Sequence, residues 1–529
     1  MRSILWAVAF GLSLFVLAGP AAGQEEIPAG GTFFDDDGSV HEGAIEAIAH
    51  IDVTRGCREP DFFCPDHPVT RGQMAAFLFR GLGLRSEGGD PFEDDDDSIF
   101  ETEIGALAAA GITRGCDSVR FCPDDPVTRG QMAAFLARAF SLPRATTDVF
   151  VDDDGHLFEK EIEALVAAGV TRGCDPPANR SFCPDRAVTR AEMATFLARI
   201  LGLPLVEVPE RPSLTVAFAG DILIHAPIWR QAARHGHPFD FGPMFEPVSH
   251  LIEGADLAIC HLEVPLSHDN RGLSGYPTFN APREVARAVV EAGFDGCSTA
   301  SNHSFDQGKA GIRSTLATLE EYGLGQAGMA RSAEEAERVT TYQVGDVEIA
   351  HLSATWWLNG FRLPRGEEFL VQDLDVEDLE RRARKAREEG ADIVVVSMHC
   401  CVEYVTQPTQ YQRETAMALI ASPHIDLVVG HHAHVVQPVA EVGGKVVLYG
   451  LGNFLSAQRS RPATQDGVIV EVEFARRTDG WWARQVTAHP TWVEGGTFRI
   501  LPAGETNQAS WRRTRSALGT YLPSLLRID

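Results

Sequence analysis

Apolar positions recur in three near-copies over the first two hundred residues. Val53-Thr-Arg-Gly-Cys, Ile112-Thr-Arg-Gly-Cys and Val170-Thr-Arg-Gly-Cys are each followed by Phe-Cys-Pro-Asp, beginning at Phe63, Phe121 and Phe182. Val69-Thr-Arg-Gly-Gln-Met, Val127-Thr-Arg-Gly-Gln-Met and Val188-Thr-Arg-Ala-Glu-Met then open runs of helical period that end near Leu84, Leu142 and Leu203. Each unit predicts helix, loop, helix. Thr70, Thr128 and Thr189 stand as N-caps, with Gln73, Gln131 and Glu192 at the capping-box position. Units of this size bury their apolar faces against one another, so three predict one domain.

From Leu214 the pattern changes. Short β-rich apolar runs alternate with amphipathic helices predicted over Arg283 to Ala292, Ile312 to Tyr322, Val376 to Glu389 and Gln410 to Ala421, which argues for a layered α/β domain. From Val435 to about Ile500 the chain is strand-rich, with hairpin signals at Val442-Gly-Gly-Lys and Arg477-Thr-Asp-Gly, enough for a second sheet. Pro204 to Ser213 is proline-spaced and reads as an extended, fairly stiff linker. Asn507 to Asp529 reads as one peripheral helix.

Five of the apolar runs end in residue types that bind metals. Asp221 follows one strand, Glu263 another, Asn302-His303 a third and His399 a fourth, while His431, His432 and His434 follow the fifth. Strand ends that deliver such groups into loops are where an α/β protein places chemistry. Carboxylate, carboxamide and imidazole together suit manganese, iron or zinc better than calcium or magnesium. The proposed ligands are Asp221, Glu263, Asn302, His399, His432 and His434. Six exceed the needs of one tetrahedral ion and suit two divalent ions sharing a bridging carboxylate, with Glu263 the candidate bridge. Such a pair clamps a phosphoryl group and acidifies a water. His303 then faces substrate as general acid or oxygen donor, oriented by Asp306. His225 is an alternative ligand, and His431 a candidate for the outer shell.

At 529 residues the chain exceeds one ordinary core. A formal charge of −28 argues against nucleic-acid binding. The acidic runs Asp35 to Asp37, Asp94 to Asp97 and Asp152 to Asp154 read as solvated loops, with weak calcium binding the less favoured alternative. Residues 1–23 read as a secretory signal, an uncleaved anchor being the minority reading, and no later run is long enough to span a bilayer. The pairs Cys57/Cys64, Cys116/Cys122 and Cys174/Cys183 predict one local disulfide per repeat in an oxidising compartment, in preference to three zinc sites. For Cys260 and Cys297, and for Cys400 and Cys401, thiol and disulfide both stay open.

The repeat pattern resembles the S-layer homology (SLH) family, over roughly Thr32 to Leu203. The resemblance implies a three-pronged helical domain that binds secondary cell-wall polymers without covalent attachment, with repeats at 32–84, 90–142 and 148–203. By position it marks Arg71, Arg129 and Arg190 as candidates for anion contact; structural ion pairs with nearby aspartates are the equal alternative. The paired cysteines depart from the usual family pattern.

A second resemblance rests on Gly220-Asp221, Leu262-Glu263, Ser301-Asn302-His303 with Asp306 and Gly308, His399 with Glu403-Tyr404, Gly430 to Pro438, and Gly450 to Phe454. In this order they resemble the poly-gamma-glutamate capsule biosynthesis (CapA-type) family, itself similar to calcineurin-like metallophosphoesterases. The resemblance implies a four-layer α/β/β/α sandwich over 214–505, preceded by the all-α repeat domain and the 204–213 linker and followed by a helix at 506–529. It also implies a binuclear centre of manganese, iron or zinc, and a role in assembling or attaching a surface polymer. His399-Cys400-Cys401 stands where the family has His-Trp-Gly, and His261 where it tends to have Asn. His225, His261, Glu403, His431 and Asn453 are therefore candidates for the outer shell or substrate.

The resulting expectation is an exported, wall-anchored, metal-dependent phosphoesterase-like enzyme of a surface polymer. Its partners are a secondary wall polymer and an anionic or phosphoester substrate. The alternative is a non-catalytic module that retains anionic polymer.

Overall fold

A computed structural model describes residues 29–57, 61–85, 89, 91–145, 147–477, 480–519 and 526–528. The signal expected at 1–23 lies outside them. The chain divides into two units, Met1–Arg211 and Pro212–Asp529.

The first unit holds two helices per repeat: α1 (Glu42–His50), α2 (Arg71–Gly81), α3 (Glu101–Ala109), α4 (Arg129–Ala139), α5 (Glu159–Ala167) and α6 (Arg190–Ile200). Thr70, Thr128 and Thr189 each complete a capping box with Gln73, Gln131 and Glu192, so α2, α4 and α6 start where the sequence predicts. Helices pair across repeats: α2 with α3, α4 with α5, and α6 back to α1. A ring of backbone bonds closes the three. Val127 donates to Val69, Val188 to Val127 and Val69 to Val188, at 2.8, 3.0 and 3.0 Å. One apolar core runs through all the helices, and the disulfides Cys57–Cys64, Cys116–Cys122 and Cys174–Cys183 close the loops.

Three expectations change here, and one gains detail. Arg71, Arg129 and Arg190 are only 5%, 1% and 3% exposed. Each donates from Nε to the carbonyl of a phenylalanine in the next repeat (Phe121, Phe182 and Phe63) and lies over that ring. They are clasps between repeats, and their partners are carbonyls and rings more than aspartates, because a desolvated guanidinium needs its donors satisfied. The acidic runs are not wholly solvated. Asp35, Asp94 and Asp152 cap the backbone of the Phe-Cys loops, while Asp36, Asp95 and Asp153 are buried. The linker, expected to be extended, is docked in part. Val206 donates to Gly43, and Arg211 pairs with Asp37 at 2.8 Å, so residues 206–211 lie against the first repeat. The C-terminal segment is not one helix: the helix ends at Leu518, and Leu526–Ile528 forms a strand.

The second unit contains β1 (Ser213–Leu223), β2 (Leu257–Leu262), β3 (Leu266–Ser267), β4 (Ala281–Pro282), β5 (Gly296–Ser298), β6 (Gly325–Ala327), β7 (Thr340–Val344), β8 (Val347–Thr355), β9 (Ile393–His399), β10 (Leu427–His431), β11 (Val439–Val442), β12 (Lys445–Leu448), β13 (Asn453–Ser456), β14 (Asp466–Arg477), β15 (Gly480–Val493), β16 (Ile500–Pro502) and β17 (Leu526–Ile528). One sheet runs β16-β15-β14-β1-β2-β5-β6, with β13 beside β1 and β17 beside β15; the other runs β11-β12-β10-β9-β8-β7. Strand alternation builds the layers. Val216 and Phe218 of β1 share a core with Ile393 and Val395 of β9 and Leu427 and Val429 of β10. The intervening Ala217 and Ala219 pack outward on the helices Ala226–His235 and Glu284–Glu291. Val394 and Val396 face the helices Val376–Glu389 and Gln410–Ile420. The result is an α/β/β/α sandwich.

Candidate metal centre

β1, β2, β5, β9 and β10 are parallel within their sheets, and their C-terminal ends carry the polar side chains. Register sets the pairs: Asp221 lies beside His261 and Asn453, His261 beside Ser298, and His399 beside His431. Gly220 and Gly430 immediately precede two of these residues. A Cβ at Gly220 would strike the Gly452 carbonyl, and one at Gly430 the Tyr449 carbonyl, so glycine lets the backbones close up behind the site. His432 and His434 hold left-handed backbone at φ 85° and 55°, a conformation costly for such residues and found where geometry serves function.

Two triplets result. Asp221, His261 and His431 have ligand atoms within 4.8 Å of one another, and so do Glu263, His432 and His434; all six are buried. His434 joins them, with Nδ1 3.0 Å from Asp221 Oδ2 and Nε2 3.7 Å from Glu263 Oε1. Asn453 Oδ1 lies 3.1 Å from the same Nδ1 and is itself held through the Thr464 carbonyl. Of the six ligands expected from sequence, Asp221, Glu263, His432 and His434 therefore fall in the triplets. Asn302 and His399 contact each other at 3.0 Å and reach the first triplet through His261. His261 and His431, candidates for the outer shell or substrate, sit in the inner set: register places His261 beside Asp221, His431 Nδ1 lies 3.4 Å from Asp221 Oδ1, and the two rings stack at 4.1 Å.

His303 and Asp306 meet at 2.7 Å, Nδ1 to Oδ2, and the carboxylate also accepts from Phe279 N. Asn359 is a residue sequence reasoning missed. Its Oδ1 accepts from Asn302 Nδ2 at 3.2 Å, and its Nδ2 lies 3.3 Å from His303 Nδ1. Its only sequence signal is an Asn-Gly turn, an ordinary loop mark. His225 bonds the Leu223 carbonyl through Nδ1 and packs on Phe279, which in turn packs on His303, so it supports the site from behind. Glu403 is half-buried, and its charge acts on both Glu263 and His432. Cys260–Cys297 and Cys400–Cys401 are disulfides, the first joining β2 to β5.

The chemistry of these groups fits cations. Both oxygens of Glu263, Oδ1 of Asp221 and Nδ1 of His432 are buried without a hydrogen bond, although such groups are almost always satisfied. Burial raises the Asp221 carboxyl, but His431 and His434 outweigh it and hold the group well below the ordinary range. Burial also lifts Glu263 far above its usual value against the pull of His434. Burial opposes charge on His434, yet Glu263 and Asp221 carry it up to about 9. A metal ion bound at His434 would therefore displace a proton from it. Burial and then the neighbouring His434 bring His432 down to about 4, and burial with adjacent imidazoles keeps His261 and His399 neutral. Neutral imidazoles and orphaned carboxylates are the forms that ligate.

Residues 215–458 match the model of the bacterial capsule synthesis protein PGA_cap, and residues 91–133 and 149–194 match the S-layer homology domain. The capsule biosynthesis protein CapA of Bacillus anthracis is 27% identical over 285 residues, covering 53% of this chain and 68% of the relative. The PGA biosynthesis protein CapA of Bacillus subtilis is 26% identical over 287 residues, covering 52% and 72%. Among solved structures, the calcineurin-like phosphoesterase YfkN of Bacillus subtilis is similar at a TM-score of 0.35 and 12% identity, covering 58% of this chain and 98% of that one. The chain thus carries S-layer homology domains followed by a capsule synthesis domain of the PGA_cap family.

Proposed function

We propose that the second unit is a metal-dependent hydrolase or transferase acting at a phosphoester or related anionic bond of a surface polymer, and that the first unit tethers it to a secondary wall polymer outside the cell. The carrying observation is the pair of buried carboxylate–imidazole triplets side by side where two sheets end. Asp221, His261 and His431 would hold one ion, His261 exchanging its ring contact to Ser298 or His399 for the metal, and Glu263, His432 and His434 the other, with Asn302 and His399 adjoining. When bound, two divalent ions supply Lewis acidity and an acidified water.

The remaining roles belong to this chain's own side chains. Both polar contacts of the His303 ring use Nδ1, which leaves Nε2 to meet a leaving oxygen. Asp306 fixes the tautomer and supports the imidazolium from which Nε2 gives up its proton. Asn359 aligns Asn302 with His303, so the metal side and the acid side of the site keep one geometry. Asn453 Oδ1, 3.1 Å from Nδ1, helps to hold the His434 ring between the two carboxylates. Export agrees with five disulfides.

The test is hydrolysis of simple phosphomonoesters, phosphodiesters and purified wall polymer by the full chain reconstituted with manganese. The reading expects turnover that chelation removes and that His303→Asn lowers at unchanged metal content. Polymer binding with no turnover in any metal form would overturn it in favour of a retaining module.

A further inference from the structure

Three carboxylates of the third repeat converge outside the centre described above. Asp148, Asp153 and Glu163 place one oxygen each within 4.8 Å of the others. Like charges this close repel strongly, and burial makes the repulsion larger. Asp153 is fully shielded, at 0% exposure, and neither of its carboxylate oxygens makes a hydrogen bond. Glu163 is also buried. Its Oε1 accepts from Val149 N and Phe150 N, while Oε2 has no partner. Asp153, with both oxygens orphaned, thus faces the one orphaned oxygen of Glu163, with the exposed Asp148 closing the third side.

A buried carboxylate with no donor is among the costliest groups a fold can carry, and its orphaned oxygens mark a missing partner. No basic side chain bonds Asp153 or Glu163 among the described residues. The donor set is all oxygen, which suits a hard cation of adaptable coordination. It lacks the imidazoles that would favour a transition metal.

We propose that Asp148, Asp153 and Glu163 bind one calcium ion in the third repeat. Burial and then the charge of Glu163 push the Asp153 carboxyl up to about 6, the response expected of an acid that lacks its counter-ion.

The other repeats differ at this place, which makes the claim specific. In the first, Asp36 and Glu46 correspond to Asp153 and Glu163, but both Glu46 oxygens are taken by Thr32 and glycine stands at position 31 in place of Asp148. In the second, Gly105 replaces the glutamate. One calcium per chain is expected here, not three. The sulfurs beside Asp94 and Asp152 are in disulfides and offer no thiolate.

The test is calcium binding to the full chain, preloaded with manganese, by equilibrium dialysis alongside thermal unfolding in calcium or chelator. Wild type should bind about one calcium more per chain than Asp153→Asn/Glu163→Gln. Calcium should raise the unfolding midpoint of the first unit in wild type and leave that of the variant unmoved. The variant carries neutral, nearly isosteric side chains and should unfold no earlier than calcium-free wild type. Asp148→Asn, at an exposed position, should keep the fold and weaken calcium binding severalfold. Equal calcium binding in all three proteins would overturn the proposal. So would a wild type indifferent to calcium whose midpoint falls as pH rises through about 6, since the two acids would then share a proton instead.

Discussion

His261 Nε2 lies 2.9 Å from His399 Nδ1, joining the end of β2 in one sheet to the end of β9 in the other. The contact is one link in a chain. Ser298 Oγ sits 2.7 Å from His261 Nδ1, and Asn302 Oδ1 sits 3.0 Å from His399 Nε2. The amide oxygen only accepts, so His399 donates from Nε2 and accepts at Nδ1, and His261 donates to it. Four side chains thereby fix the rings of both sheets relative to one another.

Replacing His261 by alanine breaks that chain and removes a member of the first triplet. Metal affinity should fall by about 10- to 100-fold, the usual cost of losing such a partner. Elemental analysis after dialysis should find roughly one ion per chain where wild type keeps about two. An unchanged metal content would assign His261 a packing role only.

Asn359→Ala separates alignment from ligation. Asn359 touches Asn302 and His303 but no carboxylate of the triplets. The loss of its hydrogen bond with Asn302, about 1 kcal/mol, should lower turnover about fivefold while metal content stays at the wild-type value. His303→Asn should lower turnover by about 100-fold or more, since it removes the proton donor itself.

Much of this site was legible because its parts are local. A strand ending in Gly-Asp or Gly-His-His-Ala-His announces itself, as do the Thr-x-x-Gln caps and the cysteine spacing. What stayed hidden depends on register and burial. His261 was legible only as a candidate for the outer shell or substrate until pairing put it opposite Asp221. Asp35, Asp36 and Asp37 read identically along the chain, yet only the fold turns the middle one inward. Arg71, Arg129 and Arg190 occupy helix starts that suggest anion contact, and only the closure of the three-repeat ring explains why their guanidinium groups are spent on carbonyls.

Those arginines carry their own prediction. Arg129→Lys keeps the charge but loses the planar fork that bonds Phe182 O and Gly173 O and pairs with Glu192. It should cost about 2–3 kcal/mol, as buried acceptors lose their donors, and lower the unfolding midpoint of the first unit by about 5–10 °C. A midpoint within a degree or so of wild type would show that the clasp contributes little.

Asp36 links stability to pH. Burial, then the charges of Glu46 and Glu42, raise its carboxyl to about 8 in the folded state from an ordinary 3.8. A raised acid favours the protonated fold, so its contribution is fully present below about pH 4 and is lost as pH rises through about 8. Asp36→Asn should therefore raise the midpoint by about 10 °C or more at pH 8 and hardly change it at pH 4. Thermal scans of both proteins across that range check the sign.

The most direct measurement is metal content. The full chain, reconstituted with manganese, iron or zinc and then dialysed, is analysed beside Asp221→Asn/His432→Ala, which removes one ligand from each triplet. The account predicts about two ions per wild-type chain and close to none in the variant. A wild-type chain that retains no ion under any of the three metals would contradict it.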